Sequence, residues 1–153
     1  MIMDKSLAPT RPYVLTALVA LGIGVFTYLI GLINANLQFN EKGYYFVVLV
    51  FGLFSVITLQ KTIRDESEGL KVTSAYKNLN IFCVIIACAL MFIGLYNVDT
   101  LLLNEKGFFG IAFVMSLFSS IVVQKNVRDL EYFKSNSKSE SKSTFEAPED
   151  EQK

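Results

Sequence analysis

NEKGYYFVVLVFGLFSVITLQKTIRD occupies positions 40–65, and the chain repeats it at positions 104–129 as NEKGFFGIAFVMSLFSSIVVQKNVRD. At a constant offset of 64, 13 of the 26 aligned positions are identical. Each copy begins with a polar segment, continues through a long apolar run and ends in a basic segment. This pattern predicts a membrane-spanning helix, present twice, with both of its ends marked by polar residues.

The spacing of charged residues indicates the class of the protein. No Asp, Glu, Lys or Arg occurs in four windows, at positions 12–39, 43–60, 78–98 and 107–124. A bilayer-spanning helix needs about 20 mainly apolar residues, and a helix satisfies its own backbone hydrogen bonds in hydrocarbon. The first apolar run is too long for the core of a cleaved signal peptide. The sequence therefore predicts an all-α membrane protein with four transmembrane helices.

A second correspondence shows that the repeated unit contains two helices. GLIN at positions 31–34 matches GLYN at positions 94–97, now at an offset of 63. We therefore expect two tandem, parallel-oriented helical hairpins. The predicted organisation is a lead at 1–12, a first two-helix repeat at 13–65, a connector at 66–77, a second two-helix repeat at 78–129 and a tail at 130–153. The tail is rich in Ser, Lys and Glu, a composition that predicts disorder because too little apolar surface can be buried.

Basic residues predict the orientation of the helices. Of the 14 Lys and Arg residues, 12 lie before helix 1, between helices 2 and 3, or after helix 4. Only Lys42 and Lys106 lie in the other two connectors. The positive-inside rule therefore predicts a multi-pass protein with both termini in the cytoplasm. Both NEKG segments then face outward.

The two ends of the repeated helix are the candidate sites. At both ends a structural interpretation competes with a ligand or partner site. Asn40 suits a helix N-cap, Glu41 suits the positive end of the helix dipole, and Asp65 can pair with Lys61 four residues earlier. The outward-face candidates are Asn40, Glu41, Lys42, Asn104, Glu105 and Lys106. The cytoplasmic-face candidates are Gln60, Lys61, Arg64, Asp65, Gln124, Lys125, Arg128 and Asp129.

Small residues mark close contacts between helices. On helix 1 they recur at steps of three and four, which places them on one face where backbones can approach closely in lipid. This stripe predicts packing against helix 2 or helix 4, or alternatively a dimer interface. Its members are Ala17, Ala20, Gly24, Thr27 and Gly31. Helix 4 has a similar face at Ala112, Ser116 and Ser120.

Residues typical of catalysis or metal binding are scarce. The chain has no His, and its net charge is zero, so we expect no metal, no cofactor and no nucleic-acid partner. No ionisable residue lies within the four apolar windows, although catalysis or ion coupling in a membrane usually requires one. Cys83 and Cys88 lie in the third window, where apolar surroundings predict a packing role for both side chains. A pore would have to use neutral hydroxyl groups such as those of Thr27, Tyr28, Ser55, Thr58, Ser116, Ser119 and Ser120.

The doubled motif resembles a known family. A hairpin that ends in Asn, continues into NEKG and two aromatic residues, and then shows LFS, QK and RD is similar to the YiaA/YiaB inner-membrane proteins. The resemblance covers about residues 13–129. It implies a bacterial inner-membrane location and a two-helix domain in duplicate, and it supplies no catalytic residues.

Two functional hypotheses follow. The first is a non-enzymatic inner-membrane protein that acts through helix–helix or surface contacts, as an envelope accessory or stress-response component. Its partners would be the lipid bilayer and either a second copy or another membrane protein. The alternative is a small channel or transporter for an ion or neutral solute.

Overall fold

The computed structural model describes the backbone of residues 9–145 and the side chains of residues 9–135. In this part of the chain there are four α-helices and no strands: α1 (Arg11–Asn34), α2 (Phe39–Ser67), α3 (Ser74–Asn97) and α4 (Leu103–Phe145). Each helix is long and apolar enough to cross a membrane. Even α1, with 24 residues, extends about 36 Å, more than the roughly 30 Å of hydrocarbon in a bilayer. The predicted fold class is confirmed.

Most of the apolar surface faces outward. Only 22–39% of the most apolar window of each helix is buried inside the protein. Phe54, Phe92 and Ile111 each expose more than half of their surface. Contiguous apolar surface of this extent is a membrane-contact surface, and here it covers all four helices. Each helix therefore has a narrow buried face and a wide face suited to lipid.

The helices pack crosswise between the two repeats. The most extensive contact joins α1 to α4, and the next joins α2 to α3. By comparison, α1 and α2 touch little, and so do α3 and α4. The two helices of each predicted hairpin are thus consecutive in the chain but pack mainly against helices of the other repeat. Each repeat therefore buries its core mainly against the other repeat.

Glycines allow the close approach of α1 and α4. A Cβ atom added to Gly24 would lie 2.8 Å from Ser116 Oγ, and one added to Gly31 would lie 2.6 Å from Phe108 Cε1. The small-residue stripe of helix 1 therefore faces α4, one of the two helices predicted as its partner. Ala112 of α4 is buried as well. These small-residue faces are used inside the protein.

Equivalent residues of the two repeats meet in the core. Tyr45 and Phe109 stack with ring centroids 6.1 Å apart. The hydroxyl of Tyr28 donates to the backbone carbonyl of Tyr45 at 2.9 Å and lies 3.8 Å from Sδ of Met91, its own equivalent. Residues that touch their own counterparts lie near the axis that relates two copies. The repeats are therefore arranged around a pseudo-two-fold axis parallel to the helices.

Gly69 follows the end of α2. It adopts a φ of 79°, a left-handed conformation that favours glycine after a helix. The N–H of Leu70 then donates to the carbonyl of Asp65 at 2.9 Å. Between α2 and α3 the chain outside the helices spans 68–73, shorter than the predicted connector at 66–77. The Lys77 ammonium pairs with Glu66 at 2.5 Å across this turn, a surface contact of modest strength.

Helix α4 is longer than the sequence predicts. It continues without a break to Phe145, whereas the composition of the segment from residue 130 predicts disorder. Once a helix is nucleated, each further residue adds a hydrogen bond at little cost, and 130–145 contains no Pro or Gly to stop it. The rest of the predicted tail, 146–153, and most of the lead, 1–8, lie outside the described residues.

Candidate functional site

The end of the bundle where α2 and α4 begin is here named the cap end. The backbone N–H of Gln38 donates to Glu41 Oε2 at 2.8 Å, and the N–H of Leu102 donates to Glu105 Oε2 at 2.7 Å. Each carboxylate thereby satisfies a free donor at a helix start, as in a capping box. The N-cap positions are Gln38 and Leu102, so the prediction of Asn40 as N-cap is wrong. The helix starts earlier because the glutamate reaches back three residues.

Lys42 also has a role in the fold at this end. Its ammonium donates to the backbone carbonyl of Ile33 at 2.7 Å. This carbonyl belongs to the last turn of α1, where backbone acceptors lack helical partners and a cation is favoured by the dipole. Together with the glutamate caps, this bond gives much of the NEKG motif a structural explanation.

The outward-face candidates do not form one site. They divide between two separate clefts, named here the cap clefts, whose lining residues correspond one to one between the repeats. The first is lined by Asn40, Glu41, Tyr44, Tyr45, Gly94, Asn97 and Val98. The second is lined by Asn104, Glu105, Phe108, Phe109, Gly31, Asn34 and Ala35. Lys42 and Lys106 line neither cleft. The symmetric split follows from crosswise packing, since each NEKG segment lies beside the end of a helix from the other repeat.

At the opposite end, named the basic end, the two repeats converge on one cleft of about 150 Å³. Three side chains from each repeat meet here, and the three from one repeat are the equivalents of the three from the other. This basic cleft is lined by Ile57, Gln60, Lys61, Arg64, Gln124, Lys125 and Arg128. Within the described part of the chain, the lining contains four cationic groups and two amides but no carboxylate. Six of the eight cytoplasmic-face candidates thus lie together.

The other two candidates, Asp65 and Asp129, hold the arginines. Asp65 Oδ1 accepts from Nε and Nη2 of Arg64 at 3.3 and 3.2 Å. Asp129 Oδ1 accepts from Nε of Arg128 at 3.4 Å. The predicted pairing of Asp65 with Lys61 is therefore wrong, because the adjacent guanidinium takes the carboxylate. These contacts are half-exposed, so they orient the arginines more than they stabilise the fold.

Carboxylates lie on the far side of the arginines from the basic cleft. Both arginines also line a larger groove of about 660 Å³, nearer the C-terminal part of α4. That groove includes Glu68, Asp129 and Glu131. Arg64 and Arg128 therefore separate a purely cationic space from one of mixed charge.

Four side chains of the basic cleft have no role in the fold that the structure reveals. Among the described side chains, no hydrogen bond or ion pair involves those of Gln60, Lys61, Gln124 or Lys125. At the cap end both glutamates and Lys42 bond the backbone, whereas among the described residues Lys106 has no such bond. The same two residue types stand in both repeats at the basic end, without a structural contact that requires them.

One buried polar pair lies just inside the basic end. The amide nitrogen of Asn80 donates to Thr62 Oγ1 at 2.7 Å, and Thr62 donates to the carbonyl of Thr58 at 2.9 Å. The equivalent of Thr62 in the second repeat is Asn126, which is 2% exposed. Its amide nitrogen is buried without a hydrogen-bond partner among the described residues. The repeats have thus diverged in polarity here.

No metal-binding cluster occurs in the described part of the chain, where no three His, Cys, Asp or Glu side chains come together. Cys83 and Cys88 are free and partly buried. Several of the hydroxyl groups considered for a pore donate to the carbonyl four residues earlier in their own helix. These are the hydroxyls of Ser55, Thr58 and Ser116.

Sequence reasoning did not foresee the convergence at the basic end. The signal was present in the repeats: parallel hairpins place both QK segments on the same side of the membrane. What was missing was the contact of α2 with α4, which brings the two segments together near the pseudo-two-fold axis. The unpartnered amide of Asn126 had no distinguishing sequence pattern.

These features define a class, the polytopic α-helical membrane proteins built from a duplicated two-helix unit. A family model described as the yiaA/B two helix domain matches residues 13–65 and 78–129. The chain belongs to the YiaAB family, as its motifs predict.

Two relatives show the extent of the similarity. The chain is 51% identical over 128 residues to Inner membrane protein YiaA of Escherichia coli (strain K12), a match that covers 83% of this chain and 88% of that protein. It is 46% identical over 50 residues to Uncharacterized membrane protein YubF of Bacillus subtilis (strain 168), covering 32% of this chain and 58% of that one. No solved structure matches.

Proposed function

We propose that this chain is a non-enzymatic inner-membrane protein that acts by binding a partner at its basic cleft. In this proposal the basic end and both termini are in the cytoplasm. The excess of Lys and Arg in the connector between α2 and α3 and after α4 supports this orientation. The relative that is an inner-membrane protein supports the location.

One observation is the basis of the proposal: equivalent residues from both repeats line a single cleft. Gln60, Lys61 and Arg64 meet their counterparts only because α2 and α4 are in contact. A cleft of this composition exists only when both repeats are present. Retaining the same cationic and amide side chains in each copy is expected of a binding surface, since topology alone needs only positive charge at that end.

The packed core argues against a channel through the bundle. Tyr28, Tyr45, Met91, Phe109 and Phe113 are each at most 3% exposed and fill the space between the helices. A conducting path needs polar groups that face a water-filled space. The hydroxyl of Tyr28 is instead bonded to a backbone carbonyl. We therefore do not retain the channel hypothesis.

The partner is not expected to use the small-residue faces. Gly24 and Gly31 approach α4 within the protein. Self-association of two copies through that stripe, the alternative suggested by its sequence, would have to compete with α4 for the same face. The basic cleft is open at the protein surface, and the side chains of Lys61 and Lys125 in its lining have no partner among the described residues.

A photo-crosslinking residue in place of Ile57, in the cleft lining, tests the proposal in intact cells. We expect a covalent adduct with a protein or a lipid from this position. The matched control replaces Phe39, which is 93% exposed at the cap end. The absence of any adduct from position 57 would contradict the proposal, whether or not position 39 forms one.

A further inference from the structure

The charge of the basic cleft is unbalanced. Among the residues that the structure describes, its lining has four cations, two from each repeat, and no carboxylate. Asp65 and Asp129 pair with the arginines from outside the lining, and Glu68 lies 3.8 Å from Nε of Arg64, so the uncompensated charge is that of the two lysines. Cations gathered around one space repel each other, and an anion in that space would relieve the repulsion. The cleft is thus electrostatically suited to a negatively charged group.

The donors are arranged for an anion with several oxygens. The two lysines offer mobile ammonium groups, whereas the arginines offer planar guanidinium groups held from one side by aspartate. The amide groups of Gln60 and Gln124 add neutral N–H donors. Phosphate oxygens accept strong charge-assisted hydrogen bonds from both kinds of cation. A single carboxylate has only two oxygens and would leave several of these donors without an acceptor.

The cleft is also of suitable size and depth. Its volume of about 150 Å³ is far above the roughly 10–15 Å³ that one water molecule needs, so a phosphate group fits. Lys61 and Lys125 are the first charged residues after the apolar windows, which places them at the boundary between hydrocarbon and lipid headgroups. Ile57, in the same lining and 38% exposed, extends the cleft toward the apolar side.

We infer that the basic cleft binds a phosphate group, with Lys61, Lys125, Arg64 and Arg128 as its cationic ligands. This inference rests on the proposed function and specifies the ligand chemistry of the same site. The phosphate belongs either to the headgroup of an anionic lipid or to a free phosphate in the cytoplasm. Both sources offer the same group to the same donors, and both can reach a cleft at the headgroup boundary.

The test uses the full-length protein and two double variants. Lys61→Gln with Lys125→Gln removes two cations from the cleft. Lys71→Gln with Lys134→Gln removes two exposed cations outside the lining, on the same side of the membrane. The two variants have equal net charge. A difference between them therefore reports the loss of cations from the cleft and not a general change in the charge of the basic end.

Two arms distinguish the sources of phosphate. In the first, protein in neutral detergent is titrated with inorganic phosphate at constant ionic strength, with chloride as the reference, and binding is measured by calorimetry. In the second, protein in phosphatidylcholine nanodiscs is compared with protein in nanodiscs that also contain phosphatidic acid, and the midpoint of thermal unfolding is measured. We expect a response in at least one arm from the wild type and from the Lys71/Lys134 variant. The Lys61/Lys125 variant should bind at least about tenfold more weakly, since half of the charge-assisted donors are lost.

The possible results are distinct. A response to phosphatidic acid alone assigns a lipid headgroup, and a response to inorganic phosphate alone assigns a free phosphate. Equal weakening in both double variants would overturn the inference, because the effect would then be general electrostatics. No response in either arm would also overturn it. If position 57 still formed adducts in cells, the proposed function would stand without a phosphate ligand.

Discussion

Tyr45 and Phe109, equivalent positions in the two repeats, stack with ring centroids 6.1 Å apart and ring planes inclined by 20°. A residue can contact its own counterpart only near the axis that relates the two copies. Gln60 and Gln124, a second pair of equivalent residues, line one cleft at the basic end. The two pairs mark two points on this axis, both along α2 and α4. The two halves of the chain therefore form their core with each other.

Two separately produced halves should reassemble. The main contacts, α1 with α4 and α2 with α3, join different repeats, so fragments 1–70 and 71–153 are expected to co-purify in detergent when expressed together. The measurement is recovery of the untagged half with the tagged half. Gly31→Leu in the first fragment should abolish recovery, since its side chain would collide with Phe108. Halves that remain separate would contradict crosswise packing.

Glycines at the helix crossings should not tolerate a methyl group. A Cβ at Gly94 would lie 2.6 Å from Tyr44 Cε1, and the Tyr44 hydroxyl is held by the Leu90 carbonyl at 2.6 Å. Gly94→Ala should lower the free energy of unfolding by about 1–3 kcal/mol, measured by thermal unfolding in detergent. Gly43→Ala is the matched control, because nothing lies within 4 Å of its Cβ position. Equal effects of the two substitutions would refute the close approach.

The glutamates of the two NEKG segments should matter for stability and not for ligand binding. Glu41→Ala and Glu105→Ala each remove the acceptor for a backbone N–H at a helix start. Each is expected to cost about 1 kcal/mol. Glu41→Gln should cost less, since an amide oxygen can still accept. Thermal unfolding measures the loss of stability, and phosphate binding measured by titration should be unchanged. Weaker phosphate binding by the alanine variants would contradict this separation of roles.

Asn80 and Asn126 should respond to substitution in opposite directions. Asn80→Ala removes the bond to Thr62 and should lower stability by about 0.6–1 kcal/mol. Asn126→Thr removes a buried amide that has no partner among the described residues and should raise stability by about 1 kcal/mol. The new hydroxyl can donate to the carbonyl four residues earlier, as that of Thr62 does. A loss of stability in Asn126→Thr would show that the amide has a partner after all.

Orientation can be read with single cysteines. In a Cys83→Ser, Cys88→Ser background, Phe39→Cys at the cap end should react with a membrane-impermeant maleimide added to intact cells. Ser74→Cys, at the start of α3, should react only after the membrane is opened. We expect this pattern because 12 of the 14 Lys and Arg residues lie at the basic end, and the positive-inside rule predicts that this end faces the cytoplasm. The reverse labelling pattern would invert the proposed topology.

The helices were predictable from sequence because the bilayer makes composition decisive. A window without charges that is long enough to span hydrocarbon has few alternatives to a helix. The partners of the helices were harder to predict. Gly24 and Gly31 indicate a close approach, but a face without bulky side chains fits several neighbours, and only the structure selects α4.

Boundaries and sites show the same division between local and long-range information. Glu41 predicts a helix start nearby, yet whether Asn40 or Gln38 is the N-cap depends on how far the carboxylate reaches back. For 130–145, composition alone predicts disorder, whereas the structure continues a helix already nucleated upstream. The basic cleft requires contact between α2 and α4, which lies beyond any single stretch of sequence.

The pseudo-two-fold axis also bears on what each half of the chain is free to become. In a homodimer of a single hairpin, any residue that meets its counterpart across the axis must meet an identical one. Joining both copies in one polypeptide removes that restriction. Here Tyr28 faces Met91 rather than a second tyrosine, and Tyr45 stacks on Phe109 rather than on itself. The duplicated chain can therefore place different, complementary side chains at the axis: the hydroxyl of Tyr28 meets the thioether of Met91 and the carbonyl of Tyr45. At the ends of the helices the two repeats keep the same residues, such as Gln60 and Gln124.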